Sequence, residues 1–200
     1  GRVGAMSGLE SQYASADAGD PLVPSEWWRA DVHVDALTPP GPGIPVSIVD
    51  TGIEFAHPEF AGRPDLIALN DQEPAPTGGV HGTMVASVVG APVNGIGVVG
   101  IYPTAVIRSY DASLGDGTRL PASDIAEGIL TVARAGRSVI NLSLGSNQPD
   151  EAIDAAIATA IVLSIAGCSG SGGGPATLAN GSLASTAPPD SVLYAESVVR

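Results

Sequence analysis

The stretch Ile44-Pro45-Val46-Ser47-Ile48-Val49-Asp50-Thr51-Gly52 decides the fold. Its β-rich run, stopped by Asp-Thr-Gly, predicts a strand, with Pro45 confined to the first position of pairing. The run Thr38-Pro39-Pro40-Gly41-Pro42-Gly43 sets that strand off from what precedes it. Outward from there, Met84, Val85, Val88 and Val89 recur at helical spacing after His81-Gly82-Thr83. Residues 105–110 read as a second strand. Ile125, Ile129 and Val132 mark one face of a helix from near Ser123 to Gly136. Ser138 to Leu142 is a third strand, Glu151 to Thr159 a short helix, and Ile161 to Ala166 a fourth strand. Residues 63–80, with Pro64, Pro74, Pro76 and Gly78-Gly79, predict a long surface loop, and residues 1–19 a small polar arm. Strands alternating with helices give an α/β fold around a mainly parallel sheet covered on both faces. Ligands of such sheets sit beyond the carboxyl ends of the strands. Chemistry is therefore sought at Asp50-Thr51-Gly52, Asp111, Ser143-Leu144-Gly145 and Gly167-Cys168-Ser169-Gly170.

Composition narrows the function. The chain has 200 residues, enough for one domain with an appended arm. It is 44% hydrophobic and 14% charged, which excludes an acidic disordered chain. Its 26 glycines and 17 prolines follow no period, which excludes a collagen-like repeat. The longest strongly apolar run, Ala155 to Ala166, is too short to span a bilayer as a helix. Eight basic residues, all arginine, stand against 21 acidic ones for a net charge of −13. That balance weighs against nucleic acid and anionic membranes as partners, whose affinity rests on phosphate neutralisation. It favours a soluble monomer and cationic or divalent ligands. The single Cys168 permits no internal disulfide. No basic-then-apolar secretory signal is visible, and with Gly1 in place of methionine the expectation is a start that is processed or cut away.

Three motifs carry chemistry, each with a competing reading. A carboxylate at Asp50 can be buried and orient a histidine, or it can form an ordinary Asp-Thr-Gly turn. Aspartic proteases also use that triplet, but they need a second copy and a mostly β fold, and neither is here. His81, opening a helix, has the chemistry of a general base. A lone histidine is more often structural, the reading for His33 and His57. His81 differs because Asp50 stands upstream of it, and an Asp–His pair implies an activated nucleophile, most economically a serine. Gly95-Ile96-Gly97-Val98-Val99-Gly100 spells a dinucleotide fingerprint, but it follows a helix and precedes a strand, the reverse of what that site requires.

Five segments in register resemble the subtilisin-like serine proteases, the subtilases. Val46 to Ile53 followed by His57-Pro58-Glu59-Phe60 is similar to their aspartate box, and His81-Gly82-Thr83-Met84-Val85-Ala86 to their histidine box. Asn94 to Pro103 resembles the loop and strand approach that follow. Val139-Ile140-Asn141-Leu142-Ser143-Leu144-Gly145 is similar to the substrate-binding strand. Asp20-Pro21 with Trp27 resembles the start of the mature domain. The likeness runs from about Asp20 onward, nearly without gaps to Gly145.

The resemblance implies a three-layer subtilisin-like fold and serine endopeptidase activity on polypeptide substrates. Asp50 would orient His81, and His81 would move the proton of the nucleophilic serine, in the order Asp, His, Ser. Ser143, Leu144 and Gly145 would pair with the substrate, with Gly117 on its opposite side. Oxygen ligands for a structural Ca²⁺ would come from Asp20, Glu59 and Asn94 and from the carbonyls of Pro92, Ile96 and Val98. The competing reading there is an Asn-Gly turn with solvated carboxylates. A monomer, secreted or at the cell surface, completes the expectation.

Two departures stand out. Where the family has its oxyanion asparagine after Ala-Gly, this chain has Cys168, whose thiol is a weak donor. The serine box Gly-Thr-Ser-x-Ala is also missing. Gly181-Ser182-Leu183-Ala184 is one residue short of it and falls too early, before Pro188 to Tyr194, which resembles the next strand. The expectation is therefore a catalytic domain, residues 20–200, truncated at its C-terminus and inactive as it stands. Cys168 as a replacement nucleophile, and a non-catalytic subtilase-like binding domain, are the alternatives.

Overall fold

A computed structural model describes residues 19–34, 42–72, 80–114, 119–146, 148–168 and 194–196. In chain order these form a 3-10 turn at Val23–Ser25, α1 (Trp28–Asp31), β1 (Val46–Asp50), β2 (Leu66–Ala68), α2 (His81–Gly90), β3 (Ile107–Asp111), α3 (Ala122–Arg134), β4 (Val139–Leu142), α4 (Glu151–Cys168) and β5 (Tyr194–Glu196). The strands make one sheet in the order β2-β3-β1-β4-β5. Every neighbouring pair is parallel, with Val46 opposite both Ile107 and Val139. β1 is therefore central, and as expected of a strand covered on both faces it is buried from Ser47 to Asp50.

Alternation along β1 builds the layers. Ile48 points to one face and packs with Ile53, Phe60, Leu66, Ile107 and Ala86 of α2. Val49 points to the other and packs with Ile140, with Ile125, Ile129 and Val132 of α3, and with Ala156 and Ala160 of α4. Helix, sheet and helix thus form three layers, the expected architecture. Ile48, Val49, Ile107 and Ile129 have almost no contact with solvent. Burying each stabilises the fold by about 1.5–3 kcal/mol. Arg63 ties the α2 layer down: its guanidinium donates to the carbonyls of Gly90, Pro103 and Ala105 at the C-terminal end of α2. A cation at that end also meets the negative pole of the helix.

Two sequence expectations are corrected. The segment 63–80 is not loop throughout, because Leu66–Ala68 adds β2 to the edge of the sheet beside β3. Ile161 to Ala166 is not a fourth strand, and the helix expected to end at Thr159 runs on through it to Cys168. No glycine or proline interrupts the chain from Glu151 to Ala166, so each added residue closes one more helical hydrogen bond without paying again for nucleation. A short apolar run cannot be assigned to strand or helix by periodicity alone. Of the strand expected over Pro188 to Tyr194 only Tyr194 is among the described residues, and there it opens β5, Tyr194–Glu196, beside β4.

Candidate active site

Asp50 is the last residue of β1 and His81 the first of α2. The fold brings them together with Asp50 Oδ1 2.7 Å from His81 Nδ1. A carboxylate can only accept, so the close nitrogen carries the proton and Nε2 is left as the basic site. The Asp50 side chain is 2% exposed and that of His81 is 49% exposed. The charge is thus shielded while the imidazole meets solvent. Asp50 Oδ1 also accepts the Thr51 N–H at 2.7 Å, while Asp50 Oδ2 is buried with no hydrogen-bond partner among the described residues. A buried, incompletely paired carboxylate interacts strongly with any positive charge formed on the ring beside it.

The turn after Asp50 fixes this geometry. Gly52 has φ +79°, and a Cβ there would meet the Asp111 carboxylate on the neighbouring strand end. At Gly82 a Cβ would run into the Gly52 carbonyl, so only glycine lets α2 approach the turn so closely. Two hydroxyls to which the sequence reading gave no role lock the approach. Gly82 N–H donates to Thr51 Oγ1 at 3.0 Å and Glu54 N–H to Thr83 Oγ1 at 2.9 Å. Their only signal in the sequence is a threonine one residue past Asp50 and another two past His81.

The other expected site residues divide by position. Ser143 and Leu144 are half-buried and Gly145 exposed just past β4, and Ser143 Oγ donates to Asn141 Oδ1 at 2.8 Å. Asn141 pairs with Ile48, so this segment leaves the sheet on the same edge as Asp50. Leu144 and Gly145, with Leu120, Ile125, Leu142 and Ile153, line a cleft of about 980 Å³ between β4 and α4. Cys168 is the last residue of α4 rather than the residue after a strand. Gly117 and Ser182 lie outside the described residues.

A second cluster gathers away from that pair. Asp20 Oδ1 accepts the N–H groups of Asn94 and Ile96, at 3.3 and 3.2 Å. Asn94 Nδ2 donates to the Glu59 carbonyl at 3.1 Å, and Val98 N–H to Glu59 Oε2 at 3.4 Å. Pro92 stands two residues before Asn94 on the same segment. Burial pushes the Glu59 carboxyl above the ordinary carboxylate range; the Val98 N–H opposes this, and the nearby Asp20 charge adds to it. Asp20 Oδ2 and Glu59 Oε1 are both buried and have no hydrogen-bond partner among the described residues. Among the described residues no three His, Cys, Asp or Glu side chains cluster for a metal. The set that the described residues form is a harder one, the carboxylates of Asp20 and Glu59 with the amide of Asn94 between them. Such a set fits Ca²⁺ in chemistry.

Comparison with known proteins agrees with the geometry. The family model described as the subtilase family matches residues 41–190. Subtilisin Savinase of Lederbergia lenta is 35% identical over 155 residues, 74% of this chain and 56% of that protein. The chain spans about half the length of the curated relatives it matches. A solved structure titled as a cold adapted subtilisin-like serine proteinase is 29% identical, with a TM-score of 0.50 over 62% of this chain and 44% of that one. Fervidolysin from Fervidobacterium pennivorans, titled a keratinolytic enzyme related to subtilisin, shares the fold at 24% identity, with a TM-score of 0.57 over 75% of this chain and 25% of that one.

Proposed function

Since this chain belongs to the subtilase family, we propose that it supplies the orienting aspartate and the general base of a serine endopeptidase. The observation that carries this reading is the 2.7 Å contact between Asp50 Oδ1 and His81 Nδ1 at the carboxyl edge of the sheet. His81 Nε2 takes the proton of the attacking serine and returns it to the leaving amine, and Asp50 holds the ring and stabilises the imidazolium. The serine comes from outside this chain, which has no Gly-Thr-Ser-x-Ala box. The substrate is a polypeptide held in extended form along Ser143-Leu144-Gly145, a placement supported by the cleft that Leu144 and Gly145 wall; the role of Gly117 opposite it rests on the family resemblance alone. By the family resemblance Cys168, the last residue of α4, takes the oxyanion position.

The experiment uses the full coding-sequence product. It should label with a fluorophosphonate at a serine beyond Arg200 and cleave casein, and Asp50→Asn should lower kcat by about 10⁴. Cys168→Asn should raise turnover by about 10²–10³, the usual worth of one oxyanion donor. Labelling at Ser182, or full turnover by Asp50→Asn, would sink the reading.

We further assign a structural Ca²⁺ to Asp20, Glu59 and Asn94, and by the family resemblance to the carbonyls of Pro92, Ile96 and Val98, on the strength of the two buried carboxylate oxygens that have no hydrogen-bond partner among the described residues. The ion would supply positive charge and coordination to those oxygens. Chelation should lower Tm, and Glu59→Ala should remove that sensitivity; a Tm indifferent to chelator would argue against the site. Among the described residues no helix is long and apolar enough to cross a membrane. Export from the cell follows from the family premise, and assay of the culture medium checks it.

A further inference from the structure

The residues between β2 and α2 do more than connect them. β2 has three residues, and its last main-chain bond to β3 runs from Leu69 N–H to the Ser109 carbonyl at 2.8 Å. Beyond that point the Asn70 side chain takes the place of the strand. Its Oδ1 accepts the Asp111 N–H at 2.8 Å and its Nδ2 donates to the Asp111 carbonyl at 2.7 Å, so one side chain satisfies the two main-chain groups that a continued parallel strand would have paired through two residues.

Gln72 stands behind it. Its Nε2 donates to Asn70 Oδ1 at 2.9 Å and to the Asn70 carbonyl at 3.2 Å. Its Oε1 accepts the Ser109 hydroxyl at 2.6 Å and the Ile53 N–H at 3.1 Å. One amide therefore joins β3 to the main chain that leaves Asp50-Thr51-Gly52. The far side of that same turn is the one tied to α2 through Thr51 and Thr83. Residues 51–54 are thus strung between Gln72 and the helix that begins with His81. Ile53 is fully buried, so an N–H deprived of Gln72 Oε1 finds no water where it stands, and the turn must shift to satisfy it.

We propose that Gln72, braced by Asn70, is a positioning residue that sets the Asp50–His81 geometry without touching either. The inference rests on the reading of that pair as orienter and base. The test is the low-field Nδ1–H resonance of His81 in the full chain, labelled with ¹⁵N-histidine. The wild-type chain should show it and Asp50→Ala should not. Gln72→Met keeps the length but has no amide, and should lose the resonance to exchange with water. Gln72→Glu retains the acceptor oxygens for Ile53 and Ser109, and should keep it. Ser109→Ala removes one of the two ties to Oε1 and should broaden the signal, giving a second reading should Gln72→Met fail to fold. In the active full-length enzyme Gln72→Met should lower kcat by about tenfold to a hundredfold, as small misplacements do, with KM nearly unchanged. A His81 resonance unchanged in both Gln72→Met and Ser109→Ala overturns the proposal and leaves the pair standing. A wild-type chain without the resonance overturns the pair, and this inference with it.

Discussion

β1 and the segment from Ile161 to Ala166 are made of the same material, five or six residues dominated by Ile, Val, Leu and Ala. One is a central strand and the other the last turns of a helix. Their surroundings in the chain differ. β1 has a proline at its start, Gly52 at φ +79° just past its end, and a parallel neighbour on each side. The distal run has Asp150 upstream, whose Oδ1 accepts the N–H groups of Ala152 and Ile153 and so caps α4. No breaker follows before Gly167. A short apolar run takes the structure that its boundaries and available partners permit. The outcome shows in burial: Ile48 and Val49 are inaccessible, while Ile161, Val162 and Leu163 are 37–41% exposed.

The contrast can be broken by a pair of truncations. Ile48→Ala should cost about 2–5 kcal/mol in urea unfolding, because it opens a cavity between β1 and α2. Leu163→Ala should change stability by less than about 0.5 kcal/mol, since the site is exposed and alanine favours helix. Equal costs would mean that the distal run packs in a core as β1 does. A smaller effect tests the cap. Asp150→Ala should lower stability by about 1 kcal/mol in thermal melts, and no change would mean that α4 is set by packing alone.

The smallest effect sharpens the sheet side. Tyr110 of β3 packs against the α3 face, and burial raises its pKa above 10.0, with Glu127, Asp124 and Asp111 adding repulsion. The folded state then holds the proton in a window where the unfolded chain has lost it, so stability falls as pH rises through 10 and above. Tyr110→Phe should flatten that fall in melts recorded from pH 9 to 11, and an unchanged slope would place its cause elsewhere.

Much of the site was legible because it is written locally. Asp50 ending a strand and His81 opening a helix are read from patterns a few residues long, and so are Ser143-Leu144-Gly145 after β4. β2 was not legible, since three residues among prolines carry no period of their own and become a strand only beside β3. Asn70 and Gln72 were not legible either. Polar amides in a loop look solvated until the fold sets the Asp111 main chain and the Ile53 N–H against them.

Most of the strands and helices, the residues at the ends of β1 and β4 and the family could be read along the chain, because short-range hydrophobic period and turn chemistry encode them. That Asp50 and His81, 31 positions apart, meet at 2.7 Å came from the packing of the fold. So did the burial of two carboxylate oxygens near Asn94 with no hydrogen-bond partner among the described residues, and the helical course of the apolar run after Thr159. Each of these depends on which distant groups share a small volume, and packing sets that where local pattern cannot.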